Sequence, residues 1–91
     1  MYSLEFTNQY LKDLKLARKR NLDESKLNEV IKILLTGENL PVIYQDHPLK
    51  GEFRGMRDCH IENNWILIYE RKNFIKIIRL IRTGTHSDLF G

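Results

Sequence analysis

The sequence lacks the features that mark secreted and membrane-spanning proteins. It has one cysteine, Cys59, which cannot form an internal disulfide and therefore fits a reducing compartment. No apolar run approaches the roughly 18 residues that span a bilayer. The first residues lack the basic and apolar regions of a signal peptide. We therefore expect a cytoplasmic protein with no membrane segment.

Glycine and histidine are too scattered for the commonest phosphate and zinc sites. The five glycines stand at positions 37, 51, 55, 84 and 91, so there is no Gly-rich phosphate loop. Three separated histidines and one cysteine make no zinc pattern. A site built from His47, Asp58, His60 and Glu62 is conceivable, but the spacing does not favour it. We expect no metal and no cofactor.

Length and charge indicate one small folded domain over residues 1–91. The 91 residues are 42% hydrophobic and 30% charged, which is ordinary for a globular protein. Residues 1–48 carry seven basic and seven acidic side chains, whereas residues 49–91 carry eight and five, so the whole net charge of +3 lies in the second half. This charge is compatible with a nucleic-acid partner but does not demonstrate one.

Two amphipathic helices are predicted in the first half of the chain. Thr7 can cap a helix that runs to about Arg20, with apolar residues at helical spacing along it. Asp23 or Ser25 can cap a second helix, which Gly37 ends in a left-handed conformation. The short link between the two helices predicts an antiparallel helical hairpin.

The second half changes to the pattern of a β-sheet. Residues 53–61 form a mixed run that can be a strand, residues 65–69 form an apolar run typical of a central strand, and residues 74–83 predict the next strand. Residues 2–6 can add an N-terminal strand, and residues 85–91 are expected to be a short tail. The prediction is an α+β fold in the order β-α-α-β-β-β. Its small antiparallel sheet, mixed if the N-terminal strand is parallel, carries the helical hairpin on one face.

The segment from residue 81 to residue 91 has the pattern closest to a catalytic site. Arg82 closes a strand and His86 follows four residues later across Gly84, which brings a permanent cation and a proton carrier to one rim of the sheet. Cleavage of a phosphodiester needs a base for the nucleophile and an acid for the leaving oxygen. In the simpler interpretation, which the spacing alone favours, Arg82 pairs with Asp88 and His86 is a loop histidine.

Other candidates also have a structural interpretation. His60 lies near the end of a strand and can be a half-buried, satisfied side chain, and His47 before Pro48 is more often a structural loop residue. Phe90 either docks on the sheet or offers a ring for base stacking. Residues 12–20 carry a net charge of +4 on a helix face, which is usually a solvated surface but can attract phosphate.

Four blocks of the sequence carry a family resemblance. They are YQDHPL at 44–49, GMRDCHI at 55–61, WILIY at 65–69, and RTGTH at 82–86 closing on LFG. In order and spacing they resemble the RelE/ParE superfamily of toxins from toxin–antitoxin systems, and within it the YafQ-like mRNA interferases. The helical half is similar in pattern and length, so the resemblance covers essentially the whole chain.

The resemblance implies a toxin that cleaves mRNA, typically on the ribosome, and is neutralised by a cognate antitoxin. It carries over five site residues, which are His47, His60, Arg82, His86 and Phe90. YafQ-like toxins have an acidic residue just before the tryptophan, where this chain has Asn64. Asparagine can hydrogen-bond but cannot hold a proton for transfer, so Asn64 is kept as a substrate-binding candidate.

The reaction expected from the resemblance is metal-independent RNA scission by attack of the 2′-OH on the adjacent phosphorus, giving a 2′,3′-cyclic phosphate and a 5′-OH. His60 is assigned as the base and His86 as the acid, and the two roles can be exchanged. Arg82 stabilises the phosphoryl charge, Phe90 stacks on a base, and His47 assists protonation or holds a phosphate.

Arg79 is a further substrate-binding candidate. It lies three residues from Arg82, an odd separation that puts the two on opposite faces of a flat strand. One of them must leave the site face unless the strand bends or ends between them, and Arg82 is the favoured residue.

Two functions of other classes compete with the nuclease. One is a ParE-like inhibitor of DNA gyrase on the same fold, and the other is an RNA-binding module without chemistry. The three histidines favour the nuclease, because neither alternative requires proton transfer.

Overall fold

A mixed five-stranded sheet organises the chain. The computed structural model describes residues 1–91, with strands β1 (Ser3–Phe6), β2 (His47–Pro48), β3 (Arg57–Glu62), β4 (Trp65–Lys72) and β5 (Ile77–Gly84), and helices α1 (Asn8–Lys19), α2 (Glu24–Thr36) and α3 (His86–Phe90). The strand order is β1-β5-β4-β3-β2, with β1 parallel to β5 and the other neighbours antiparallel. The predicted α+β class and the mixed sheet are confirmed. None of the helices is long and apolar enough to cross a membrane.

Helices α1 and α2 cover one face of the sheet, which we call the helix face. Their apolar side chains form the main core with alternate residues of the central strands. In β4, Trp65, Leu67 and Tyr69 point into this core, while Ile66 and Ile68 point to the opposite side, because successive strand residues alternate. We call that opposite side the open face, and it holds a smaller apolar cluster.

The first two helices begin and end where the sequence predicts. Thr7 caps α1, its hydroxyl oxygen accepting the Tyr10 N–H at 2.9 Å. Asp23 caps α2, its carboxylate accepting the Ser25 N–H at 3.0 Å. Gly37 ends α2 in the left-handed region with φ of 85°. Local capping chemistry therefore sets these boundaries.

Two strands begin later than predicted. β5 begins at Ile77 and not at Phe74, because residues 73–76 form a turn in which Lys76 has a φ of 57°. Phe74 is consequently 99% exposed. β3 begins at Arg57, since a short 3₁₀ turn and a left-handed Gly55 precede it.

The sequence pattern missed two elements. Residues 85–91 are not a tail, because Thr85 and Asp88 form a capping box that starts α3. His47 is extended as predicted, but it also pairs with β3 and so adds the short edge strand β2. The order is therefore β-α-α-β-β-β-β-α.

A β-bulge in β5 redirects the residues that follow it. The pairing of β4 with β5 slips by one residue, which leaves Ile81 as the extra residue. Before the bulge Arg79 lies opposite Glu70, and after it Arg82 lies opposite Ile68. Glu70 and Ile68 are two residues apart and share a face, so the bulge directs both arginine side chains initially toward the open face despite their odd separation. Beyond the end of β1, the Arg82 guanidinium then turns at the sheet edge to Asp13 of α1.

Gly37 and Gly51 offer a matched test of the packing at the end of α2. Both have a positive φ, 85° and 66°, but a Cβ on Gly37 would lie 2.8 Å from a ring carbon of Tyr2, whereas one on Gly51 would meet nothing within 4 Å. We expect Gly51→Ala to lower the free energy of unfolding by about 1–2 kcal/mol and Gly37→Ala by about 2–4 kcal/mol. Urea denaturation measures both, and equal losses would contradict a steric contribution from Tyr2.

Candidate active site

Strand register brings His47, Asp58 and His60 to the open face. His47 lies opposite Asp58 in the β2–β3 pair, and His60 lies opposite Ile66 in the β3–β4 pair. Residues directly opposite one another share a face, and Ile66 belongs to the open-face cluster. Asp58 and His60 are two residues apart, so all three polar side chains lie on that face.

Asp58 is a buried carboxyl group at the centre of the site. Its side chain is 4% exposed, and its Oδ1 lies 3.2 Å from His47 Nε2 but accepts no hydrogen bond within the chain. Burial raises the pKa of Asp58, while the cationic forms of His47, His60 and His86 act in the opposite direction. His47 contacts Asp58 directly, His60 lies two residues further along the same face of β3, and His86 begins the helix that docks on this face through Leu89.

The imidazole of His47 has an oxygen neighbour at each ring nitrogen. Nδ1 lies 2.8 Å from the carbonyl oxygen of Gln45, so Nδ1 carries a hydrogen and donates it. Nε2 then faces the carboxyl oxygen of Asp58, which is a second acceptor. A proton between Nε2 and Asp58 would turn this contact into a hydrogen bond.

Asp46 anchors the segment that carries His47. Its carboxylate accepts hydrogen bonds from the Tyr69 hydroxyl at 2.6 Å and from Arg57 Nε at 3.2 Å. Tyr69 belongs to the core on the helix face, so the neighbouring residues Asp46 and His47 point to opposite faces. Burial, followed by the hydrogen bond to Asp46, raises the pKa of Tyr69, and the hydroxyl therefore remains a donor at neutral pH.

Arg82 is held by Asp13 of α1. Arg82 Nε donates to Asp13 Oδ2 at 2.8 Å and Nη2 donates to Oδ1 at 3.1 Å, while Nη1 makes no hydrogen bond within the chain. The simpler interpretation, in which Arg82 pairs with Asp88, is wrong because Asp88 pairs with Arg20 at 2.7 Å. Arg82 is thus fixed along one edge of its guanidinium group and open along the other.

Helix α3 brings His86 and Phe90 together. His86 is the first residue of this helix and not a loop histidine, and its ring centroid lies 5.0 Å from that of Phe90. Phe90 also meets Phe53 edge-on at 5.8 Å, yet it stays 38% exposed. Leu89 is buried in the open-face cluster and docks the helix. Phe90 therefore both packs on the sheet side and presents a ring to solvent.

The other two sequence candidates have different surroundings. Asn64 Oδ1 accepts the backbone N–H of His86 at 3.2 Å, so it contacts the start of α3 and not the imidazole. Arg79 lies opposite Glu70 of β4 and Glu5 of β1, with an acidic residue on each side. No group of three or more His, Cys, Asp or Glu side chains is arranged to hold a metal ion.

Sequence comparison finds relatives along the whole chain. A family described as bacterial toxin of type II toxin–antitoxin system, YafQ, matches residues 2–91. The mRNA interferase toxin YafQ of Escherichia coli strain K12 is 47% identical over 89 residues, which cover 97% of this chain and 95% of the relative.

Comparison with solved structures finds the same fold. A crystal structure of a histidine-to-glutamine mutant of Escherichia coli YafQ matches with a TM-score of 0.93 at 44% identity, covering 100% of both chains. A chain of the Escherichia coli DinJ–YafQ toxin–antitoxin complex matches with a TM-score of 0.89 at 46% identity, covering 99% of this chain and 98% of that chain.

The buried carboxyl group of Asp58 predicts a pH dependence of stability. Because its pKa is raised above the ordinary value of 3.8, the folded chain keeps a proton that the unfolded chain has released, and stability falls as pH rises between the two values. We expect Asp58→Asn to abolish this fall. As pH rises across that interval, the free energy of unfolding of Asp58→Asn minus that of the native chain then grows by up to about 1.4 kcal/mol per pH unit.

Asp23→Asn is a control of opposite sign. Hydrogen bonds from Ser25 lower the pKa of Asp23, so this group stabilises the fold above its unfolded-state pKa and stops doing so as pH falls through its folded-state pKa. Its amide variant therefore loses relative stability as pH rises. Urea denaturation at a series of pH values measures both slopes, and a pH profile of Asp58→Asn parallel to that of the native chain would contradict the prediction.

Proposed function

Because the chain belongs to the YafQ family of toxins from bacterial type II toxin–antitoxin systems, we propose that it is an endoribonuclease that cleaves mRNA in association with the ribosome and is neutralised by a cognate antitoxin. The name of the Escherichia coli relative, an mRNA interferase toxin, supports the activity. The matched toxin–antitoxin complex supports the antitoxin as a partner. The observation that carries the proposal is that His47 and His60 share the open face with the buried Asp58, while His86 begins the helix that docks on that face.

The proposed reaction is metal-independent transesterification within the RNA. The 2′-OH attacks the adjacent phosphorus, the bond from phosphorus to the 5′ oxygen breaks, and the products are a 2′,3′-cyclic phosphate and a 5′-OH. His60 accepts the proton of the 2′-OH and His86 donates a proton to the leaving oxygen, with the reverse assignment as the alternative. Such positioned acid–base groups typically contribute about 10²- to 10⁴-fold in rate.

The His47–Asp58 pair supports a supply of protons to the site. A proton held between His47 Nε2 and the carboxyl group lies on the same face as His60, so it can assist protonation of the leaving group or hold the phosphate as a donor. Without Asp58, the second nitrogen of His47 would have no fixed partner.

Arg82 supplies the fixed positive charge. Its Nη1 edge is free of partners within the chain, which leaves donors for a phosphoryl oxygen whose negative charge grows in the transition state. A guanidinium already held in place needs no reorganisation when that charge develops, and this favours stabilisation of the transition state over that of the substrate.

Surfaces beside the histidines support binding of the nucleotides that flank the scissile bond. Phe90 presents a ring next to His86, which fits stacking of a base. On the other side, His60 borders a cleft of about 600 Å³ that Tyr44 and Asn63 also line. Asn64 and Arg79 stay candidates for substrate binding, with Asn64 acting through its contact with the start of α3.

The two competing functions account for less of the site. Neither inhibition of DNA gyrase nor plain RNA binding needs a proton carrier, yet two histidines share the open face with the buried Asp58 and a third begins the helix that docks there. Proton transfer at a phosphodiester uses this arrangement directly.

Replacing His86 tests the acid–base proposal. His86→Gln keeps hydrogen-bonding capacity but cannot transfer a proton near neutral pH, so we expect mRNA cleavage to fall about 10²- to 10⁴-fold. Ser87→Ala, the exposed neighbour on α3, is the matched control and should cleave normally. Cleavage is measured with and without ribosomes, after circular dichroism has established that both variants fold.

Two outcomes would contradict this proposal. Undiminished cleavage by folded His86→Gln would remove His86 from the mechanism. If the native protein cleaves no RNA and instead blocks DNA supercoiling in a parallel gyrase assay, the gyrase inhibitor would replace the nuclease as the function.

The nucleophile is tested on the substrate. An RNA with a single 2′-deoxy nucleotide at the scissile position lacks the attacking hydroxyl, so we expect no cleavage there and normal cleavage of the all-ribose RNA. Products of the all-ribose RNA should carry a cyclic phosphate, detectable by mass spectrometry. Efficient cutting of the deoxy substrate would mean that water, and not the 2′-OH, is the nucleophile.

A further inference from the structure

We propose that helix α1 positions the catalytic end of the chain, residues 82–90, through two ion pairs, Asp13–Arg82 and Arg20–Asp88. The inference rests on the proposed function, because it assigns roles to residues that act through Arg82 and through the helix that carries His86. Asp13 and Arg20 are positioning residues in this proposal and do not contact the RNA.

The first pair joins α1 to the end of β5. Asp13 is buried and its carboxylate accepts four hydrogen bonds, from Arg82 Nε at 2.8 Å, Arg82 Nη2 at 3.1 Å, the Thr83 N–H at 3.1 Å and Gln9 Nε2 at 3.1 Å. β1 pairs with β5 only as far as Leu80. Beyond that point Asp13 takes the place of a strand partner for Thr83 and fixes the plane of the Arg82 guanidinium.

The second pair joins the end of α1 to α3. Arg20 Nη1 donates to Asp88 Oδ2 at 2.7 Å, and the same oxygen accepts the Thr85 N–H at 2.9 Å in the capping box. The hydrogen bond from Arg20, followed by that from Thr85, lowers the pKa of Asp88, so the carboxylate stays charged well into the acid range. A Cβ on Gly84 would lie 2.9 Å from the carboxylate, so the glycine makes room for it.

Helix α3 depends on such anchors. It has five residues and one buried side chain, Leu89, and a helix of this length is not stable by itself. Its position, and with it that of His86, therefore follows from the capping box, the hydrogen bond of the His86 N–H to Asn64, the docking of Leu89 and the pair with Arg20. Of these, the pair with Arg20 is the one that connects α3 to α1.

The two pairs act on one side of one helix. Asp13 and Arg20 are seven residues apart, which is two helical turns or about 10 Å along the axis. Both pairs line the same cleft of about 340 Å³ between α1 and the end of β5. α1 thus holds the proposed phosphate-binding cation at one point and the helix of the proposed acid at another.

The chain contains a matched control for the Arg20 pair. Arg18, on the same helix, makes an equally short pair with Glu24 of α2, at 2.7 Å and 2.9 Å, and its side chain makes no hydrogen bond or ion pair with residues 82–90. Arg18→Met and Arg20→Met each remove one guanidinium group and keep an unbranched apolar side chain. Any general effect of losing an ion pair on α1 appears in both variants.

The experiment compares these two variants with the native chain in mRNA cleavage and in amide hydrogen exchange. Arg20→Met is expected to lower kcat about 10- to 100-fold with a smaller change in KM, and to speed exchange of the amides at residues 86–91. Arg20→Lys should restore part of the rate. Arg18→Met should leave kcat and the exchange rates of these amides unchanged.

A second variant, Asp13→Asn, tests the other ion pair and should lower kcat through Arg82. A kcat equal to that of the native chain would remove Asp13 from the proposal.

The outcomes separate this inference from the proposed function. Native rates and native exchange at residues 86–91 in Arg20→Met would overturn the positioning role. Suppose that the native chain cleaves no RNA, while Arg20→Met still speeds amide exchange at residues 86–91 and Arg18→Met does not. The positioning role of Arg20 then stands and the proposed function fails. Equal losses of kcat in Arg18→Met and Arg20→Met would reduce the pair to a general contribution to stability and would also overturn the inference.

Discussion

The central strand β4 has to bury both of its faces, and the rest of the structure depends on that constraint. Five consecutive apolar residues, Trp65 to Tyr69, leave no polar face to turn toward water. Helices α1 and α2 cover one side. On the other side Ile66 and Ile68 are covered by Leu89 of α3 and by side chains of the segment before β3. The docking of α3 on this small cluster is what brings His86 to the face where β2 and β3 present His47 and His60.

The same face also accounts for the electrostatics of the site. A carboxyl group at Asp58, between strands and beside apolar neighbours, is unfavourable as an isolated charge. The histidines of the same face can supply compensating positive charge. Side chains that can exchange a proton are also what phosphodiester cleavage requires. The cost of burying Asp58 and the capacity for proton transfer are therefore two consequences of one arrangement.

Local sequence signals were enough for part of this structure. Periodicity and capping residues predicted α1 and α2 to within one or two positions, and the apolar run predicted β4. Helix α3 was missed, although Thr85 and Asp88 have the spacing of a capping box that could have indicated it. Two decisive features had no local signal. The bulge at Ile81 depends on pairing with β4, and Arg82 finds its partner Asp13 at a separation of 69 residues along the chain.

Ion pairs within the chain neutralise part of the basic charge on the exposed face of α1. Residues 12–20 carry a net charge of +4, which by itself resembles an electrostatic surface for phosphate. In the structure Arg18 pairs with Glu24 and Arg20 pairs with Asp88, so two of these cations are already committed within the chain. Lys12, Lys15 and Lys19 form no ion pair within the chain and keep a general attraction for phosphate. In the proposed function, the groups beside the reacting phosphate are the free edge of Arg82 and the three histidines. A modest net charge is sufficient for such a site, because fixed donors beside the reacting phosphate act at short range, where screening by salt is weakest.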